Sequence, residues 1–154
     1  MRVLLDDTEV FGHRIKQGFV SPSPHIVSNL GMIKLEDMKT VKQVNSWKGL
    51  YKTLIAHLPH LAFYMNPFDK ATAGKNSRDS MVWTPELRMA FNNALSHLTN
   101  INKTYLPHPE DKLILKPDTA KTKICTGWAL YATKEKDDNT ELIPIQYCSA
   151  KLPD

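Results

Sequence analysis

The stretch Thr40-Val41-Lys42-Gln43-Val44-Asn45-Ser46-Trp47-Lys48-Gly49-Leu50-Tyr51-Lys52-Thr53 organises the rest of the chain. Thr40 followed three residues later by Gln43 is a capping-box signature, in which each side chain satisfies the other residue's backbone N–H. Val41, Val44, Trp47, Tyr51, Leu54, Ile55 and Leu58 then recur at three- and four-residue spacing, which predicts an amphipathic helix with one apolar stripe, ended by Pro59. Asn45, Gly49 and Lys52 fall on nearly one line roughly opposite that stripe, flanked by Lys42 and Thr53. A mid-helix glycine costs about 1 kcal/mol against alanine, so Gly49 needs a reason. Two reasons are open: close approach of the backbone to a sugar–phosphate groove, or tight packing of a second helix with the lysines merely solvated.

Upstream, Val10 to Val20 has a glycine near each end of a short alternating stretch, which predicts a strand pair with a turn. Ser21-Pro22-Ser23-Pro24 breaks the pattern, and Pro24 can open a short helix through Leu30. Downstream, Leu61–Phe68 reads as a short helix entering a polar loop over 69–80. Thr84-Pro85-Glu86 supplies an N-cap, a proline at the first helical position and an acid in the first turn. Leu87, Ala90, Phe91, Ala94, Leu95 and Leu98 keep helical period to Asn100, and Tyr105–Pro109 reads as a linker. From Lys112 the chain reads as β: Leu113–Leu115, Thr126–Ala132 and Leu142–Cys148 form three strands of an antiparallel meander.

Composition bounds these expectations. The chain has 154 residues, 42% hydrophobic and 23% charged, as in a soluble globular protein of one or two small domains. No apolar run approaches the roughly 18 residues of a membrane span, and the first residues lack a signal-peptide pattern, so no membrane partner and a cytoplasmic or nuclear location are expected. Net charge is +4, which favours an anionic partner. Between Met38 and Phe68 there is no acid, while Lys39, Lys42, Lys48 and Lys52 all fall there. Two cysteines, Cys125 and Cys148, are too few for a disulfide scaffold or a thiolate zinc site and read as small strand residues. His57 and His60 lack the further ligands of a metal pattern.

The order of segments resembles the polymerase polyprotein of long-terminal-repeat retrotransposons. Phe11-Gly12-His13, Gly18 and Ser21-Pro22-Ser23-Pro24-His25 look like the end of a reverse transcriptase palm running into the thumb. Thr40-Val41-Lys42 through Gly49-Leu50-Tyr51 looks like the thumb helix, and Trp83-Thr84-Pro85-Glu86 with Ala90-Phe91 like the connecting helix. Asp118, Gly127, Leu130 and Tyr131, then Tyr147, Ser149, Lys151 and Leu152, look like the first three strands of a ribonuclease H-like domain.

The resemblance implies an α+β chain: an end-of-palm strand pair over 1–23, a helical thumb and connection over 24–104, and a truncated ribonuclease H-like domain over 110–154. It implies that Asn45, Gly49 and Thr53 meet the minor groove of an RNA–DNA or DNA duplex, with Lys42 and Lys52 adding phosphate attraction. The parent polyprotein would be an RNA-directed DNA polymerase and ribonuclease H using Mg2+. Asp118 matches the first of the carboxylates that hold two metals in ribonuclease H chemistry. Here it sits in Pro117-Asp118-Thr119-Ala120 rather than Thr-Asp-Ala-Ser, with Lys121-Thr122-Lys123 in place of the usual Gly-rich turn. The other carboxylates would lie beyond Asp154, so this segment is expected to be inactive alone and to need no cofactor. The pair Asp6-Asp7 lacks the aromatic of a polymerase metal motif and reads as a surface acidic turn. Two alternatives stand beside this: a domesticated or decaying protein-interaction module, and a nuclease completed by a partner chain.

Overall fold

The computed structural model describes residues 7–119, 125–136 and 139–152. The elements run β1 (Asp7–Val10), β2 (His13–Lys16), β3 (Phe19–Pro22), α1 (Pro24–Met32), α2 (Val41–Lys52), α3 (Leu61–Thr72), α4 (Pro85–His97), β4 (Thr104–Tyr105), β5 (Lys112–Thr119), β6 (Cys125–Lys136) and β7 (Asn139–Lys151). They form four helices and two antiparallel sheets, ordered β1-β2-β3-β4 and β5-β6-β7, which is the expected α+β class. Among the described residues no helix is long and apolar enough to cross a membrane.

The expected strand pair is a three-stranded meander. Its turns are Phe11-Gly12 and Gln17-Gly18, with φ of 50° and 77° in both. Two central residues at positive φ make the two-residue turn that matches the twist of flanking strands. Asp7 opens β1 instead of belonging to a turn; Arg14 and Lys16 of β2 reach it at 2.6 and 3.3 Å. The Arg14 hydrogen bond is the main reason its carboxyl sits at about 2. Asp6 lies outside the described residues. Tyr105, expected in a linker, instead forms β4 with Thr104, pairing with Phe19 and Val20 of β3.

α2 starts as predicted, with the Thr40–Gln43 capping box closed, but it ends at Lys52 rather than at Pro59. The Thr53 hydroxyl donates 2.7 Å back to the Leu50 carbonyl, competing with continued helix. Residues 53–60 turn instead, still burying Leu54 and Leu58. α3 runs further than expected, to Thr72, because Met65, Phe68 and Thr72 continue the buried face past Pro67. α4 starts at the predicted Thr84 cap, whose hydroxyl accepts from the Leu87 N–H.

The core lies between the helices. Trp47 touches the rings of Phe68, Phe91 and Tyr51 at 4.9, 5.3 and 5.6 Å between centroids, separations at which aromatic pairs attract beyond their buried area. The turn 53–60 joins the two sheets to this core. His57, 1% exposed, places Nε2 3.3 Å from His13 Nδ1 of β2, and its carbonyl accepts from the Asn102 N–H. Tyr147 of β7 donates its N–H to the Ala56 carbonyl at 3.1 Å, and Ser149 Oγ accepts from the Ala62 N–H at 2.8 Å.

Two buried histidines make this junction acid-sensitive. Burial first, then the neighbouring His13, pushes the His57 imidazole below its ordinary value against the opposing Asn102 contact. Burial likewise lowers His97, whose Nδ1 lies 2.9 Å from the Tyr51 hydroxyl. Both therefore take up a proton at lower pH in the folded chain than in the unfolded chain, which protonates them around the ordinary histidine value of 6.5. The stabilisation is complete above that value and is lost as pH falls. Urea unfolding across about pH 7.5 to 5 should show stability falling by at most about 1.4 kcal/mol per pH unit for each histidine. A flat profile over that window would contradict the assignment.

Candidate nucleic-acid interface

Packing of the α2 stripe decides what its opposite side presents. Val41, Val44, Trp47 and Tyr51 are buried, and Lys42, Asn45, Gly49, Lys52 and Thr53 are all exposed. The five residues singled out in the sequence thus share one solvent face. Beside them lies a hollow of about 590 Å3 lined by Ile33, Met38, Ser46, Trp47, Gly49 and Thr53.

Gly49 separates the two explanations for its presence. A Cβ built there meets nothing within 4 Å, so no packed helix among the described residues requires the glycine.

The lysines of the acid-free run divide into two groups. Lys48 is buried, reaching Asp69 of α3 at 2.9 Å and donating to the Thr72 hydroxyl at 2.8 Å. Lys52 also reaches Asp69, at 3.3 Å, with 47% of its side chain exposed. Burial works to raise the Asp69 carboxyl, but Lys48 and Lys52 outweigh it and hold it below its ordinary value. The sequence reading missed this counter-charge, because Asp69 lies just outside the acid-free stretch and returns to it through the α2–α3 packing. Among the described residues Lys39 and Lys42 make no ion pair, whereas Lys52 shares Asp69 with Lys48.

Asp118 lies elsewhere, on edge strand β5, with its side chain 66% exposed and 3.5 Å from His60 Nδ1. Pro117 is accommodated because β5 pairs on one side only, with β6. Ala120 and Lys121-Thr122-Lys123 lie outside the described residues. The side-chain neighbour of Asp118 is the His60 imidazole, and no group of three or more His, Cys, Asp or Glu residues able to hold a metal occurs among the described residues. His57 and His60 serve different contacts, one to His13 and one to Asp118. Both cysteines are free, and burial pushes the Cys125 thiol up, away from nucleophilic use.

No protein-family model and no curated protein matches the sequence. Solved structures do match in shape. Against the foamy viral protease-reverse transcriptase in complex with an RNA/DNA hybrid, the TM-score is 0.79 at 16% identity, covering 98% of this chain and 19% of that one. Against the same protein in complex with double-stranded DNA it is 0.77 at 17% identity, covering 98% and 29%. The dRH form in complex with double-stranded DNA gives 0.76 at 16% identity, covering 94% and 24%. The chain thus spans between about a fifth and three tenths of the proteins it resembles. Over nearly all of its length, this chain has the fold of part of a retroviral reverse transcriptase.

Proposed function

We propose that the chain is the thumb-and-connection part of a reverse transcriptase of the long-terminal-repeat retroelement kind, and that it grips an RNA–DNA or DNA duplex through the outer face of α2. Gly49 carries this reading: an exposed mid-helix glycine with open space above it, on the polar face opposite the core stripe. Similar folds in complex with an RNA/DNA hybrid and with double-stranded DNA support it. A helix without a side chain at that point can lie close to a sugar–phosphate edge. Asn45 and Thr53 then offer hydrogen bonds to a groove, while Lys42 and Lys52 attract phosphates without reading sequence.

On this reading residues 1–23 are the end of the palm, 24–104 the thumb and connection, and 110–154 part of a ribonuclease H-like domain. The rest of the polymerase polyprotein is the natural partner, in the cytoplasm or nucleus. RNA-directed DNA synthesis, ribonuclease H cleavage and their Mg2+ belong to the parent enzyme. No catalytic step and no metal are assigned to this segment, and Asp118 is given no catalytic role in it. A second reading, a protein-interaction module, is favoured by one observation: Leu113, Ile114 and Leu115 on edge strand β5 are 53%, 38% and 59% exposed, and an uncovered apolar edge invites pairing. Oligomers without affinity for nucleic acid would favour that module over the duplex grip.

Titrating a labelled RNA–DNA hybrid against salt tests the grip. Binding should weaken steeply with salt, and Lys42→Ala with Lys52→Ala should reduce the log–log slope by at most about two. An unchanged slope would sink the assignment. Gly49→Ala should act in opposite directions on stability and binding. It should stabilise the fold by about 1 kcal/mol through helix propensity, while weakening hybrid binding. Destabilisation, or unaltered affinity, would show that the glycine serves something else.

A further inference from the structure

A second cleft, of about 460 Å3, lies between the start of α3 and the β5-β6-β7 sheet, within the size range of small-ligand sites. Its shape follows from the strand register. On β5, Lys116 and Asp118 are two residues apart and so on one face, opposite Ala129 and Gly127 of β6. Those two positions are low, while Tyr147, paired with Ala129, and Tyr131 stand beside them on the same face, so the floor is a slot bounded by aromatic rings. Gly127 cannot readily be larger, because a Cβ there would come 2.7 Å from the Cys148 carbonyl oxygen. The opposite wall is supplied by His60, Phe63 and Tyr64; Phe63 is 54% exposed and packs edge-on against Tyr64.

A low floor facing an aromatic wall suits a planar ligand. Its polar edge is set by Lys116, a donor whose Nζ lies 5.5 Å from the centre of the Tyr131 ring, and Asp118, an acceptor, on adjacent same-face positions of one strand. Asp118 Oδ2 faces His60 at 3.5 Å, and both side chains are about two-thirds exposed, so a ligand can reach the carboxylate. Among the four common bases only guanine presents a carbonyl acceptor beside two adjacent N–H donors. The ammonium can meet the carbonyl while the carboxylate accepts both donors. Adenine places a ring acceptor where a carboxylate needs a donor.

We infer that this cleft binds a guanine base, held against Phe63 and read by Lys116 and Asp118. The base could come from a free guanine nucleotide or from an unpaired guanosine in a single strand. The site is separate from the α2 face and does not rest on the duplex reading.

Calorimetric titration of the full chain with guanosine monophosphate, and in parallel with adenosine monophosphate, tests it. The guanine nucleotide should bind at least about tenfold more tightly, and Phe63→Ala and Asp118→Asn should each weaken it about tenfold, the size of one stacking or base-edge contact. Lys42→Ala with Lys52→Ala should leave this binding unchanged, separating it from any failure of the duplex grip. An oligothymidylate with one central guanosine, compared with plain oligothymidylate, then distinguishes the sources. Preference for the guanosine-containing strand adds a single strand as ligand, and no preference leaves the free nucleotide. No saturable binding of guanosine monophosphate, equal binding of the adenine nucleotide, or indifference to Asp118→Asn would overturn the inference.

Discussion

Burial of Trp47 among Phe68, Phe91 and Tyr51 fixes how α2 is rotated, and with it everything α2 shows to solvent. A helix has only one angular freedom once its axis is placed. Committing Val41, Val44, Trp47 and Tyr51 to the core turns Lys42, Asn45, Gly49 and Lys52 outward. The exposed face is therefore a consequence of core packing, and polar changes on it carry little cost to the fold. Truncating Trp47 would remove both at once, because the stripe that sets the rotation and the aromatic contacts that hold it are the same residues.

The turn after α2 is the second determinant. Thr53 draws the Leu50 carbonyl out of the helical ladder, and the chain that follows spends its backbone groups on other elements. The Ala56 carbonyl accepts from Tyr147 of β7, and the His57 carbonyl accepts from Asn102, just before β4. His57's ring meets His13 of β2. Eight residues after one helix thus tie both sheets to the helical core, and they include the buried His57, whose imidazole is held below its ordinary value by burial.

The helices were legible because their signals are local. Thr40 with Gln43 and Thr84 with Pro85 mark starts through contacts three residues long, and apolar period marks the buried faces. What escaped was non-local or conditional. β4 is two residues whose strand character comes wholly from β3. The Phe11-Gly12 and Gln17-Gly18 turns place a non-glycine residue at positive φ, a cost accepted only because the flanking strands pair. α3 continues past Pro67 because tertiary burial of Phe68 and Thr72 outweighs the missing N–H. For the candidate site, helical period gave the membership of the α2 face, whereas the Asp69 counter-charge needed the α2–α3 packing. The α3–β5 cleft required the strand register as well, so Asp118 read only as a catalytic remnant in the sequence.

Amide chemical-shift mapping of the isotope-labelled chain during addition of an RNA–DNA hybrid tests the central claim most directly. Shifts concentrated along Lys42, Asn45, Gly49, Lys52 and Thr53, with the α3–β5 cleft quiet, are the expected result. Shifts confined to other surfaces, or none at low salt, would contradict the assignment of the α2 face as the duplex grip.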